Sequence, residues 1–491
     1  MLLETLFPLF LFLYLSSQAL LAQTTLSLSE NKSQYSNWKF LENRLPKSQG
    51  LTAQEKKMSI TTADIAQLNY LLLRTEQAIV ISLPLPSGEL ADFRLTPSTI
   101  MPMELADKYP EIKTFSGYQL LAPENKGRFD ITEHGFHGMF SFNNSTVFIE
   151  PEKQKNNTRY VSYYRNNNSG DLSDQRVNFQ VPKRLPRVEN RNLASKLSVK
   201  KTNTETFLTR YRLAVSSSGE YSEFHGGSKS SVLSEIVTLV NRLNEVYQRD
   251  LSITFELVAN SDDLIFLDPL TDPFNNNDQD GELNTSIIDG LIGSSNYDIG
   301  HVVNTEGGGL AGLGVVCDSI YKGDGVTGAS NPINDAFYID YVAHEIGHQF
   351  GADHTFNGAE GACDGNRESN LAFEPGSAST IMGYAGICGS QNLQSNSDPF
   401  FHAKSIEQIK TYLMGSRGSS CGVQSEEVNN IPLVNAGSDF TIPANTPFTL
   451  FGSATDIDSS DTLTYSWQQI DLGTVSHSIT EQIDDGSRPL F

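Results

Sequence analysis

The stretch that most constrains this chain is AHEIGHQFGADHTF, residues 343–356, which gathers three of the nine histidines among 491 residues with a glutamate and two glycines. The spacing predicts a helix over NDAFYIDYVAHEIGHQF, residues 334–350, with Asn334 or Asp335 as its cap. Ile339, Val342, Ala343, Ile346 and Phe350 then form an apolar stripe suited to packing on a sheet, while Phe337, Tyr341, His344 and His348 share another. Residues four apart stand one above the other, so the imidazoles of His344 and His348 can grip one ion. A catalytic zinc takes three protein ligands, at about 2.0–2.1 Å for nitrogen, and leaves a fourth position to water. Gly351 can end the helix in a left-handed turn, and His354 then returns towards the metal as the third ligand. Glu345 projects about 100° around the helix from His344, beside the ion's open side. A bound zinc lowers the pKa of its water towards ~7; the carboxylate can take that proton and pass it to a leaving amine. The plainer readings, hydrogen-bonded core histidines or a structural metal, leave the glutamate and the glycine without a purpose.

Taken together, His344-Glu345-x-x-His348-x-x-Gly351-x-x-His354 resembles the H-E-x-x-H-x-x-G-x-x-H signature of the metzincin zinc proteases. STIMGYAG supplies Met382, and GADHTFNG and EPGSASTIM look like the reprolysin-like M12B metallopeptidases of secreted bacterial proteins. The resemblance covers roughly residues 205–422. It implies an α/β (α+β) catalytic domain with a twisted mixed sheet and an active-site helix, His344, His348 and His354 on zinc, Glu345 as general acid/base, and Met382 as a hydrophobic floor. It also implies that Gly309-Leu310-Ala311 is an edge strand on which a peptide substrate is added as a further strand, although GGGLAGLG reads equally as a flexible turn. Two positions depart from the pattern. Thr355 stands where reprolysins follow the third histidine with aspartate, which puts the polar support of that ligand in question. Tyr384, as in astacins and serralysins, is placed to be a fifth ligand or oxyanion stabiliser, or simply to pack against the turn.

The four cysteines, Cys317, Cys363, Cys388 and Cys421, allow three disulfide connectivities, and thiolate binding of zinc is the lesser alternative in an exported chain. The resemblance implies Cys317–Cys421, and the expected second bridge is Cys363–Cys388. Residues 23–182, with GFHGMFSF and YVSYYR, are β-rich and look like the propeptide of the same secreted proteins. No cysteine precedes Cys317, so a thiolate cannot hold the enzyme latent from upstream.

Residues 1–22 read as a secretory signal peptide, which predicts a secreted or cell-surface protein with no membrane span after its removal. Residues 183–204 read as a basic linker: Lys183 to Lys201 holds seven basic residues and one acidic, against the trend of the chain. Its 35 basic and 58 acidic side chains give a net charge of -23, which disfavours nucleic acid and anionic membrane as partners. The helical period of SVLSEIVTLVNRLNEVYQRD between two apolar strands predicts a crossover and an α/β layer over 205–422. From 423 to 491 the texture resembles a linker and a partial PKD or cadherin-like β-sandwich, which favours some surface binding. DPFNNNDQDGE, with Asp278, Asp280 and Gly281, allows calcium but lacks the glutamate that an EF-hand requires. The expected function is a zinc endopeptidase acting on protein or peptide substrates. The alternative is a secreted adhesive or binding protein on a metalloprotease-like fold, against which an intact Glu345 argues.

Overall fold

The computed structural model describes residues 33–41, 56–152, 157–165, 205–306, 308–415, 417–443, 446–459, 461–475 and 488–490. The expected signal segment and basic linker lie outside these residues. Two β-rich units flank one long helix, and the histidine-bearing segment 343–356 lies in the second.

The first unit is a nine-stranded antiparallel sheet of β1 (Lys39–Phe40), β2 (Lys56–Ser59), β3 (Ile79–Pro84), β4 (Leu90–Ser98), β5 (Lys113–Gln119), β6 (Ala122–Thr132), β7 (Gly135–Phe142), β8 (Ser145–Pro151) and β9 (Arg159–Tyr164), ordered β1-β2-β9-β8-β7-β6-β5-β4-β3. Helices α1 (Thr62–Arg74) and α2 (Met103–Lys108) accompany it. Successive side chains of a strand point to opposite faces, and both faces are used here. Phe136 and Phe140 of β7, with Val147 and Ile149 of β8, join the sheet's own aromatic core with Phe93 and Phe129. Their sequence neighbours Met139 and Phe148 belong instead to the core of the second unit.

The second unit has a mixed sheet ordered β11-β10-β12-β14-β13, where β10 is Glu205–Ser217, β11 Ile253–Leu257, β12 Ile299–Asn304, β13 Gly309–Ala311 and β14 Gly325–Gly328. β10, β11, β12 and β14 run parallel, and β13 pairs antiparallel with β14 at the edge. After α3 (Gly219–Phe224), the crossover between β10 and β11 is α4 (Lys229–Leu251), capped by the Ser228 hydroxyl, which accepts from the Ser231 amide at 3.1 Å. Its expected apolar stripe, Val232, Ile236, Leu239, Val240, Leu243 and Val246, is fully buried; each such side chain contributes roughly 1.5–3 kcal/mol. The remaining helices are α5 (Asp280–Ile292), α6 (Ala343–Gln349) and α7 (Ala403–Met414).

The other side of α4 is polar, and it is buried too. Asn241 donates to the Phe129 carbonyl at 2.9 Å and the Thr238 hydroxyl to Asp130 at 2.9 Å, while Arg242 meets Glu150 of β8 and Asp335, ahead of the histidine-bearing helix, at 3.2 Å each. Arg165, at the end of the first unit, pairs with Asp340 and donates to the Ser397 carbonyl. The helix is thus the shared core of both units.

Both disulfides, Cys317–Cys421 and Cys363–Cys388, are formed. Residues 423–430, expected as the start of a linker, instead form β15 (Val423–Asn430), which pairs antiparallel with β10. Beyond it, the described residues carry one two-stranded sheet, β16 (Leu433–Asn435) with β17 (Ser453–Thr455). No helix among the described residues is long and apolar enough to cross a membrane.

Candidate metal centre

The helix expected over 334–350 begins as a π-helix, Ala336–Val342, and becomes α-helical at Ala343. Neither expected cap is used as one. Asn334 is left-handed at φ +65°, and Asp335 gives no side-chain cap. Its carboxylate faces Arg242 and accepts from the Tyr163 hydroxyl at 3.3 Å. The apolar stripe is placed as predicted: Phe350 lies edge-on to Tyr211 and close to Phe255, ring centres 5.3 and 6.0 Å away. Gln349 fastens the helix to β12 by donating to the Gly300 carbonyl at 2.8 Å.

Gly351 is left-handed at φ +93°, and the Ala352 amide donates to the Gly347 carbonyl at 3.0 Å, so the chain reverses where the glycine predicted it. That reversal brings His354 back. The Nε2 of His348 lies 3.0 Å from the Nε2 of His344 and 3.1 Å from that of His354. Each Nδ1 is 2.6–2.8 Å from a backbone carbonyl: Ile381 for His344, Ala352 for His348 and Asn366 for His354. With Nδ1–H donating to these carbonyls, the tautomer is fixed and Nε2 is left with its lone pair.

All three rings are buried, and burial lowers their pKa values, to about 4 for His344, about 3 for His354 and well below the ordinary value for His348. Neutral imidazoles are what a metal requires. Three lone pairs converging at about 3 Å cannot satisfy one another and repel without a cation between them; the donor set therefore fits a metal ion. Among the described residues this triad is the one group of three or more His, Cys, Asp or Glu side chains able to share an ion.

Glu345 is buried, and burial pushes its carboxyl well above the usual range. It faces β13: a Cβ on Gly309 would overlap the Glu345 carboxylate, so edge strand and carboxylate are in direct contact. Gly309, Leu310 and Ala311 do form the edge strand of the sheet, with Leu310 half-buried. Met382 lies beneath the helix, its Sδ 2.6 Å from where a Cβ on Gly347 would stand. Tyr384 is buried with its ring 4.6 Å from His354 and 5.5 Å from His344, and burial together with the Glu345 carboxylate raises its hydroxyl well above the ordinary value.

Sequence reasoning missed the three carbonyls that orient the ligands, because a backbone acceptor leaves no residue-type signal. It also missed Glu374, although EPGSASTIM carried it in plain view. Asp280 has a structural use: its carboxylate accepts from the amides of Asn275 and Asn277 at 2.7 and 3.1 Å and from the Asn304 side chain at 2.8 Å.

No curated protein matches the chain in sequence. Among solved structures it is similar to metalloproteinase-II from Bacteroides fragilis, at 10% identity and a TM-score of 0.41, over 72% of this chain and 96% of that one. Residues 208–413 match the family model described as metallo-peptidase family M12B, reprolysin-like. That match falls on the residues that build the sheet, the helix and the histidine loop, and it makes the segment 208–413 similar to the reprolysin-like metallopeptidases of family M12B.

Proposed function

We propose that the chain is a secreted zinc endopeptidase in which His344, His348 and His354 hold the metal and Glu345 is the general acid/base. The observation that carries this reading is the convergence of three Nε2 atoms whose rings are each fixed through Nδ1. A zinc ion bound there supplies an acidified water and polarises the scissile carbonyl. Glu345 accepts the proton of the attacking water and delivers it to the leaving amine, so no covalent acyl intermediate forms. Peptide backbone pairs with the open edge of β13, which places the scissile bond above Glu345. Tyr384, beside two of the histidines, steadies the developing oxyanion or adds a ligand. Secretion is supported by the two disulfides, which persist in oxidising compartments, and residues 23–182 act as a propeptide-like domain, whose strands β6 and β8 meet α4.

The test measures bound zinc and cleavage of a general protein substrate for wild type and Glu345→Ala, after removal of the propeptide-like domain and with it in place. Wild type should bind one zinc and cleave, while Glu345→Ala binds zinc and has lost activity. Equal cleavage by both proteins would overturn the mechanism. Zinc without cleavage in any form would favour an adhesive or binding protein.

A further inference from the structure

The loop that carries His354 and the turn that carries Met382 are separate in sequence, and one carboxylate joins them. Glu374 is buried, with 5% of its surface exposed, and takes four donors. Its Oε2 accepts from the hydroxyls of Thr355 at 2.5 Å and Thr380 at 2.6 Å, and its Oε1 accepts from the amides of Ser379 and Thr380 at 3.1 Å each. The backbone repeats the join: the Glu374 amide donates to the Thr355 carbonyl at 2.9 Å, the Asn357 amide to the Glu374 carbonyl at 2.9 Å, and the Thr355 amide to the Met382 carbonyl at 3.2 Å. Thr355 follows His354 directly, and Thr380 precedes Ile381, whose carbonyl orients His344. One side chain therefore holds the residue next to His354 and the residue next to the carbonyl that orients His344.

We propose that Glu374 is a positioning residue for the metal centre: through Thr355 and Thr380 it fixes the third histidine against the methionine turn and so sets the distance between the ligands. This rests on the reading of His344, His348 and His354 as metal ligands. The carboxylate that the resembled pattern places directly after the third histidine is here supplied from a distant segment, with the Thr355 hydroxyl as the link. Chemistry favours a carboxylate at that point, because it is an acceptor-only group with room for about four donors. An amide would turn its NH2 towards two of them. Groups hydrogen-bonded to metal-binding histidines typically govern affinity by about 10- to 100-fold, since they hold the ligands in the bound geometry before the ion arrives, and Glu374 ties the loop of His354 to the turn whose Ile381 carbonyl is such a group.

The test compares zinc affinity, by competition with a chelator, and the visible absorption of the cobalt-substituted protein for wild type, His354→Ala, Glu374→Ala, Thr355→Val and Glu374→Ala/Thr355→Asp. Glu374→Ala is expected to weaken zinc on the order of 10- to 100-fold and to alter the cobalt spectrum. Thr355→Val, nearly isosteric and less disruptive to folding, removes one donor and should weaken zinc about 3- to 10-fold. Thr355→Asp in the Glu374→Ala background returns a carboxylate within reach of Thr380 and should recover most of the affinity. Zinc affinity within about twofold of wild type for Thr355→Val, with wild-type cobalt absorption, would overturn the proposal even if Glu374→Ala fails to fold. Failure of the double variant to regain affinity while it regains thermal stability would overturn it too. Zinc held equally by wild type and His354→Ala would instead sink the ligand assignment on which the proposal stands.

Discussion

Replacing Gly309 by alanine tests the contact between edge strand and carboxylate, the feature through which the proposed mechanism couples substrate binding to proton transfer. The added Cβ would overlap Glu345 Oε1 and stand 2.6 Å from its Cδ and 2.8 Å from its Cγ, where ordinary contact begins at 3.4 Å, so the carboxylate or the strand must move by at least about 0.8 Å. A misplacement of about 1 Å at a reacting centre costs on the order of 100-fold in rate, or about 2.7 kcal/mol of barrier. The three atoms nearest the new methyl all belong to Glu345, so bound metal should stay at the wild-type level. Overpacking should lower stability by about 1–3 kcal/mol. The assay is kcat and KM on a peptide substrate beside metal content, for Gly309→Ala alone and combined with Glu345→Asp, whose shorter side chain withdraws from the strand. In the Glu345→Asp background the alanine should cost under about 10-fold, because the clash that produces the loss has been relieved. Wild-type kcat for Gly309→Ala, or a loss of kcat matched by loss of zinc, would refute the reasoning.

Arg242→Met removes the guanidinium that faces Glu150 and Asp335, leaves the buried Asp335 carboxylate without that counter-charge, and should destabilise the protein by about 3–5 kcal/mol in urea unfolding. Glu150→Gln should cost under about 1 kcal/mol, because burial and the neighbouring Asp335 already hold the Glu150 carboxyl well above its ordinary range; equal effects of the two substitutions would contradict this. Tyr384→Phe should lower kcat on the order of 100-fold with zinc and KM unchanged if its hydroxyl steadies the oxyanion, whereas kcat within twofold of wild type would reduce it to packing against Phe356 and His354. Burial alone would raise the Asp130 carboxyl, but His137, Arg242 and Asn241 together hold it below the usual value. Its stabilising contribution is therefore fully present above the unfolded pKa of about 3.9 and lost as pH falls through the lower folded value; the stability gap between wild type and Asp130→Asn should close over that window, and a gap constant from pH 7 to pH 3 would exclude the effect.

The histidine site was legible because its spacing obeys helical geometry: His344 and His348 share a face whatever surrounds them, and Gly351 permits a turn that few other residues tolerate. Met382 and the edge strand were legible by resemblance. What the sequence withheld were groups that act through backbone atoms, such as the Ile381, Ala352 and Asn366 carbonyls, and residues whose partner lies far along the chain, such as Glu374 with Thr355. The start of the helix was misread for a related reason. Local preference offered Asp335 as a cap, but a buried guanidinium competes for the same carboxylate, and the tertiary ion pair took it.

Helix α4 shows where periodicity stops being informative. Its apolar stripe identified the face turned to the catalytic sheet, and an amphipathic pattern ordinarily assigns the opposite face to water. Here Ser234, Thr238, Asn241 and Arg242 are all buried. Hydropathy cannot distinguish a polar side chain solvated by water from one solvated by protein. The hydrogen-bonding inventory offers a better clue: short amides, hydroxyls and an arginine form fixed, directional contacts, and even a glutamate of this face, Glu235, is buried and accepts from the Tyr338 hydroxyl. The strands answer the helix in kind, since β6 and β8 turn Asp130 and Glu150 towards it while their alternate residues fill the first unit's own core. Specific polar contacts of this sort leave little latitude in how the two units meet, and through Arg242 and Asp335 that register reaches the first turn of the helix bearing His344. The stability of the metal site is therefore coupled to a sheet that contributes none of its ligands.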